Sequence, residues 1–68
     1  MNPVEHSQLL FLVEALRVAP GKSAALLKMA ENKRASQPYR DAIKELHSVA
    51  HDTTALRASS DRIKESLR

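Results

Sequence analysis

The strongest feature of the hydrophobic pattern is a run of five large apolar residues, from Leu9 to Val13. A helix turns about 100° per residue, so five such residues in succession point in every direction around its axis. A helix that is apolar on all sides is buried on more than one side. We therefore expect it to pack on its own chain with one face and on a second chain with another. The predicted dimer interface consists of Leu9, Leu10, Phe11, Leu12, Val13 and Leu16.

This run lies in a first predicted helix, from about Pro3 to Val18. Asn2 is a good N-cap, and Glu5 stands where it can complete a capping box with it. Leucine and valine then recur at the spacing of one helix face. The helix should end before Pro20, which is followed by the only glycine of the chain.

A second helix is predicted to open near Lys22 or Ser23 and to run to about Arg34. Its apolar stripe consists of Leu26, Leu27 and Ala30, with Met29 nearby. Pro38 then interrupts the chain and suits the first turn of a new helix.

One spacing pattern holds from Tyr39 to the end of the chain. Its members alternate at intervals of three and four residues, which is typical of a heptad seam. The absence of Gly and Pro favours one long helix, although Asp52 and Ser59 each stand where a new helix could be capped. The seam consists of Tyr39, Ala42, Leu46, Val49, Thr53, Leu56, Ser60, Ile63 and Leu67.

Length and composition limit the fold. Sixty-eight residues allow one domain, residues 1–68, with a thin core, and ten of the apolar residues are alanine. A chain this small usually needs a disulfide, a metal or a second subunit, and it has no cysteine. We predict an all-α domain with two shorter helices and one long one, which forms a homodimer in the cytoplasm and has no membrane segment.

No catalytic or cofactor motif is complete, so we expect neither an enzyme nor a bound cofactor. Gly21-Lys22-Ser23 matches the end of a phosphate-binding loop, but the glycine that should stand five residues earlier is Leu16. His47 and His51 share one helix face and could hold a metal only with a ligand from elsewhere. We interpret them as exposed histidines and predict no metal site.

Charge points to a partner. The net charge is +3, and residues 22–40 alone carry +4. An excess of this kind can steer an acidic partner, and tyrosine and arginine are typical of protein interfaces. We predict a partner-binding site formed by Arg17, Lys33, Arg34, Tyr39 and Arg40.

Residues 30–46 also resemble the helix-turn-helix of bacterial repressors. Ser36 is similar to the residue that opens the recognition helix, and the stretch from Arg40 to Ile43 is similar to its Arg-Glu-Ala-Leu sequence. The turn glycine is replaced by Lys33-Arg34, and the segment is one residue short. The resemblance implies a small DNA-binding regulator, which we keep as the alternative function.

In size and helical character the chain resembles the small helical inhibitors that phages make against host proteins. Anti-quorum-sensing factors of Pseudomonas phages, which bind a quorum-sensing transcription regulator and a pilus-assembly ATPase, belong to this group. The resemblance implies a protein that binds and inhibits or modulates a partner protein. The type III secretion needle co-chaperones resemble the chain about as well in length and helix-pair layout. Both resemblances imply a protein partner and no catalysis.

Overall fold

The computed structural model describes residues 1–68 as an all-helical fold without β-strands. The all-α prediction is confirmed. No helix in it combines the length and the apolar character needed to cross a bilayer. The helices are α1 (Pro3–Val18), α2 (Ser23–Ala30), α3 (Gln37–Val49) and α4 (Thr53–Ser66), with a short 3-10 turn, Pro20–Lys22, between α1 and α2.

Both ends of α1 follow from local sequence. The side chain of Asn2 accepts a hydrogen bond from the Glu5 amide at 2.8 Å. The Glu5 carboxylate accepts one in return from the Asn2 amide at 3.3 Å. This is the predicted capping box, and it satisfies two donors that a helix start otherwise leaves free. The helix ends at Val18, as predicted.

Helix α2 ends at Ala30, four residues before the predicted end at Arg34. Glu31 leaves the helical conformation, and the Asn32 side chain accepts a hydrogen bond from the Arg34 amide at 3.0 Å. A short side chain that bonds the backbone in this way competes with helix formation. The Ala30 carbonyl, freed from the helix, accepts the hydroxyl of Tyr39 instead, at 2.6 Å.

The predicted long helix is divided into α3 and α4. The dividing residue is Asp52, whose side chain accepts hydrogen bonds from the amides of Thr54 and Ala55 at 3.0 and 3.2 Å. An aspartate N-cap of this kind opens a new helix without any need for Gly or Pro. The second possible start, near Ser59, is continuous helix.

Helices α1 and α4 pack antiparallel. His6, near the start of α1, bonds the carbonyl of Leu67 at the end of α4. Near the other end of α1, Arg17 pairs with Asp61 at 3.1 Å. All four helices contribute to one hydrophobic core. Its buried members are Leu9, Leu12, Val13, Leu16, Leu27, Ala35, Tyr39, Ile43, Leu46, Leu56 and Ile63.

The core corrects the predicted dimer interface. Four of its six residues are buried inside the single chain, with at most 3% of their surface exposed, so they present nothing to a second chain. Leu10 is half-buried, and only Phe11 faces solvent. The apolar run is covered on most sides by its own chain, because the division of the last helix adds a fourth helix to pack on α1. The four core residues are Leu9, Leu12, Val13 and Leu16.

Candidate functional site

The tyrosine of the predicted partner-binding site is a core residue. Tyr39 is 1% exposed, and its hydroxyl donates to the Ala30 carbonyl at 2.6 Å. Burial, and secondarily the nearby Glu5 carboxylate, raises the pKa of the Tyr39 phenol above its ordinary value of 10.0. The structure therefore does not support Tyr39 as an exposed anchor for a partner, because its side chain is almost completely covered and its hydroxyl is bonded within the chain.

The four basic residues of the predicted site are exposed, but they do not form one cluster. Arg17 lies on α1 and pairs with Asp61 of α4. Lys33 and Arg34 lie in the connection between α2 and α3. Arg40 lies in the first turns of α3. The structure brings Lys33 and Arg40 together in the wall of one hollow and leaves Arg17 outside it.

A groove lies between α1 and α2. It has a volume of about 470 Å³, and Tyr39 contributes to its lining. Two of its lining side chains are large, apolar and mostly exposed: Phe11 on α1 is 73% exposed and Met29 on α2 is 82% exposed. Phe11 is the only phenylalanine of a chain with few large apolar residues, and its exposure leaves apolar surface uncovered.

The apolar surface continues along α1 beyond the groove. Val4 and Val18 are 64% and 84% exposed and stand seven residues before and after Phe11. Seven residues are close to two full turns of a helix, so the three side chains share one face. This apolar face, defined by Val4, Phe11 and Val18 with Met29 of α2, is where we place the candidate docking site.

A smaller hollow of about 310 Å³, lined mostly by charged and polar residues, adjoins the groove. Glu31 and Asn32 line both depressions and form the ridge between them. We call the second depression the basic hollow, because three of its seven lining residues are cationic. They are Lys33, Arg40 and Lys44.

Internal hydrogen bonds fix the polar groups around the basic hollow. The Glu31 carboxylate lies 3.1 Å from Nε2 of His47. Arg40 donates to the side-chain oxygen of Gln37 at 2.8 Å, and the amide nitrogen of Gln37 donates to Asp41 at 2.6 Å. The two carboxylates nearest in sequence to Arg40 and Lys33 are thus engaged with Gln37 and His47, and neither pairs with Lys33, Arg40 or Lys44.

Outside residues 22–44, four of the five Lys and Arg side chains are paired. Arg62, Lys64 and Arg68 each contact a carboxylate, as does Arg17. Seven Lys and Arg side chains have none within 4 Å, and six of these lie between residues 22 and 44. The charge excess that the sequence indicates is therefore also an excess of unpaired charge. The seven are Lys22, Lys28, Lys33, Arg34, Arg40, Lys44 and Arg57.

The histidines have separate surroundings. His47 faces Glu31 at the ridge, and His6 bonds the carbonyl of Leu67. His51 lies in the exposed turn between α3 and α4. The structure contains no group of three or more His, Cys, Asp or Glu side chains placed to hold a metal ion.

The sequence indicates the cations of this surface but not its apolar part. Met29 lies off the apolar stripe of α2, and a large apolar side chain in such a position is a candidate for exposure. The spacing of seven residues between Val4, Phe11 and Val18 was the available signal for a second apolar face on α1.

Comparison with known proteins returned no matching family model, no curated relative and no similar solved structure.

Proposed function

We propose that the chain is a small protein-binding module that docks an apolar segment of a partner protein on the α1–α2 face and thereby modulates or inhibits that partner. The carrying observation is the exposure of Phe11 and Met29 on either side of the groove. Large apolar side chains that surround a groove are typical of interaction surfaces, and an amphipathic helix lying in a groove is a common way to fill one.

We propose that the module acts on its partner by occupancy. It covers a surface that the partner needs for another contact, or it favours one of the partner's conformations. A host transcription regulator, suggested by the resemblance to phage inhibitors, is a partner of this kind.

Self-association remains part of the proposal in a narrower form. Four of the six predicted interface residues lie in the core: Leu9, Leu12, Val13 and Leu16. A homodimer can therefore use only Phe11 and the half-buried Leu10 of that interface. A second copy would then occupy the same face as the partner. The two associations would compete, and the partner would bind the monomer.

The experiment compares capture of partner proteins by the immobilised chain and by variants of its apolar face, from an extract of the native host. Phe11→Ser and Met29→Ser should each abolish recovery of the specifically retained protein. The matched control is Ala58→Ser, which changes an exposed residue of α4, away from the groove. Equal recovery by all four proteins would refute a docking site on the α1–α2 face.

A DNA-binding regulator is the second candidate. It is favoured by the order of α2, a short connection and α3, with exposed Lys33, Arg34 and Arg40 where α3 begins. Asp41 stands beside Arg40 on α3 and opposes a phosphate backbone. Binding to DNA would weaken steeply with added salt because counterions are released, whereas docking on the apolar face would be much less sensitive.

A further inference from the structure

We propose that the docked segment carries a carboxylate beside its apolar anchor, and that the basic hollow formed by Lys33, Arg40 and Lys44 binds this carboxylate. The occupant is thus an amphipathic helix of a partner protein with acidic residues along one edge of its apolar face. This inference rests on the proposed function, because it assumes that the apolar face is the docking site.

The first step is the state of the cations. No carboxylate of the chain lies within 4 Å of Lys33, Arg40 or Lys44. Arg40 is held by Gln37, a neutral group, which orients the guanidinium without neutralising it. An oriented and unpaired guanidinium is suited to bind a carboxylate, since its fixed donors match the two oxygens.

The second step is the position of the hollow. The groove and the basic hollow share the Glu31–Asn32 ridge, so one ligand can contact both. A helix whose apolar side chains enter the groove beside Phe11 and Met29 would present its flanking residues to the hollow. Charge complementarity at the edge of an apolar contact raises the association rate and rejects wrong partners.

The third step compares this helix with two other possible occupants, a second copy of the chain and a DNA duplex. A second copy would bring a face with the same unpaired cations, and like charges in juxtaposition oppose association. A DNA duplex offers a series of phosphates and no apolar anchor, so Phe11 and Met29 would remain uncovered. Of the three, only the acidic amphipathic helix offers apolar side chains to the groove and carboxylates to the basic hollow.

The test is selection of random helical peptides displayed on a library against the immobilised chain, followed by titration of one selected peptide. We expect selected peptides to combine large apolar residues at helical spacing with Asp or Glu beside them. The double substitution Arg40→Gln with Lys44→Gln should weaken binding of such a peptide about tenfold at low salt. It should leave a version with Gln in place of its acids unaffected.

The control is Arg57→Gln, which removes an exposed, unpaired cation of α4 and should change nothing. Selected peptides without acidic residues, but sensitive to Phe11→Ser, would overturn the carboxylate site and leave the proposed function standing. Failure to select any peptide sensitive to Phe11→Ser would contradict both. Tighter binding of a DNA duplex than of any peptide, lost in the double variant, would assign the hollow to phosphate instead.

Discussion

The carboxylate of Glu5 on α1 accepts two hydrogen bonds from Ser36, one from its amide at 3.0 Å and one from its hydroxyl at 2.7 Å. These bonds tie the start of α1 to the start of α3 across 31 residues of sequence. Glu5 also closes the capping box with Asn2, so one carboxylate serves two helix starts. The hydrogen bonds from the Ser36 hydroxyl and amide hold the pKa of the Glu5 carboxyl below its ordinary value of 4.5.

The Glu5–Ser36 contact predicts an acid-dependent stability. Because the pKa of Glu5 is lower in the folded than in the unfolded state, its contribution is present above the unfolded-state pKa and is lost as the pH falls through the folded-state value. Glu5→Gln should therefore be less stable than the wild type at neutral pH, and the difference should shrink on acidification below about pH 4.5. Urea unfolding at a series of pH values measures this.

The pKa of Glu14 is also lowered, through its hydrogen bond with Lys64, so wild-type stability alone will fall in acid for two reasons. The measured quantity is therefore the difference between wild type and Glu5→Gln. A difference that stays constant from pH 7 to acid would contradict the role of the Glu5 charge.

Tyr39 should behave as a core residue with a bonded hydroxyl. Tyr39→Ala should destabilise the fold by about 3–5 kcal/mol, which is the usual cost of truncating a buried aromatic ring. Tyr39→Phe should cost about 1 kcal/mol, since it removes only the hydrogen bond to the Ala30 carbonyl. Chemical denaturation gives both values. A folded and fully stable Tyr39→Ala protein would show that the ring lies at the surface.

Ser60 is fully buried, and its hydroxyl has no hydrogen-bond partner. Burial of an unbonded hydroxyl is unfavourable, so Ser60→Ala should be neutral or should stabilise the fold by up to about 1 kcal/mol. Ser36→Ala is the matched control and should destabilise it, because the Ser36 hydroxyl bonds Glu5. Thermal melting measures both effects. Melting temperatures that change in the same direction and by the same amount in the two variants would contradict this account.

Asp52 should be responsible for the start of α4. Asp52→Ala removes both side-chain bonds to the amides of Thr54 and Ala55 and should cost about 1 kcal/mol. Asp52→Asn retains an acceptor and should cost less. Equal stability of wild type and Asp52→Ala would indicate that the turn between α3 and α4 does not depend on this cap.

The sequence predicts features that depend on neighbouring residues and fails where distant ones decide. The bounds of α1 were predictable because Asn2, Pro3 and Glu5 form its cap locally. The early end of α2 was not predicted: the Asn32 side chain bonds the Arg34 amide there, and the freed Ala30 carbonyl finds its partner only in distant Tyr39. The sequence indicates Asp52 as a possible cap, but it does not show that α4 then turns back to pack on α1.

The candidate site divides in the same way. The basic character of residues 22–40 could be read directly, because charge is a property of composition. The sequence does not show which residue of the Leu9–Val13 run faces solvent. That depends on how α2, α3 and α4 are arranged around α1. The structure leaves Phe11 as the exposed member, and this moves the candidate site from Tyr39 to the α1–α2 groove.

The central claim is that Phe11 lies at a protein-docking surface, and photo-crosslinking from that position tests it most directly. A photoreactive phenylalanine analogue is placed at Phe11 in one protein and at Ala58 in another, and both are irradiated in an extract of the native host. We predict a crosslinked product from position 11 whose mass exceeds that of two copies of the chain, and none from position 58. Equal products from both positions, or no product from position 11 other than one with the mass of two chains, would contradict the claim.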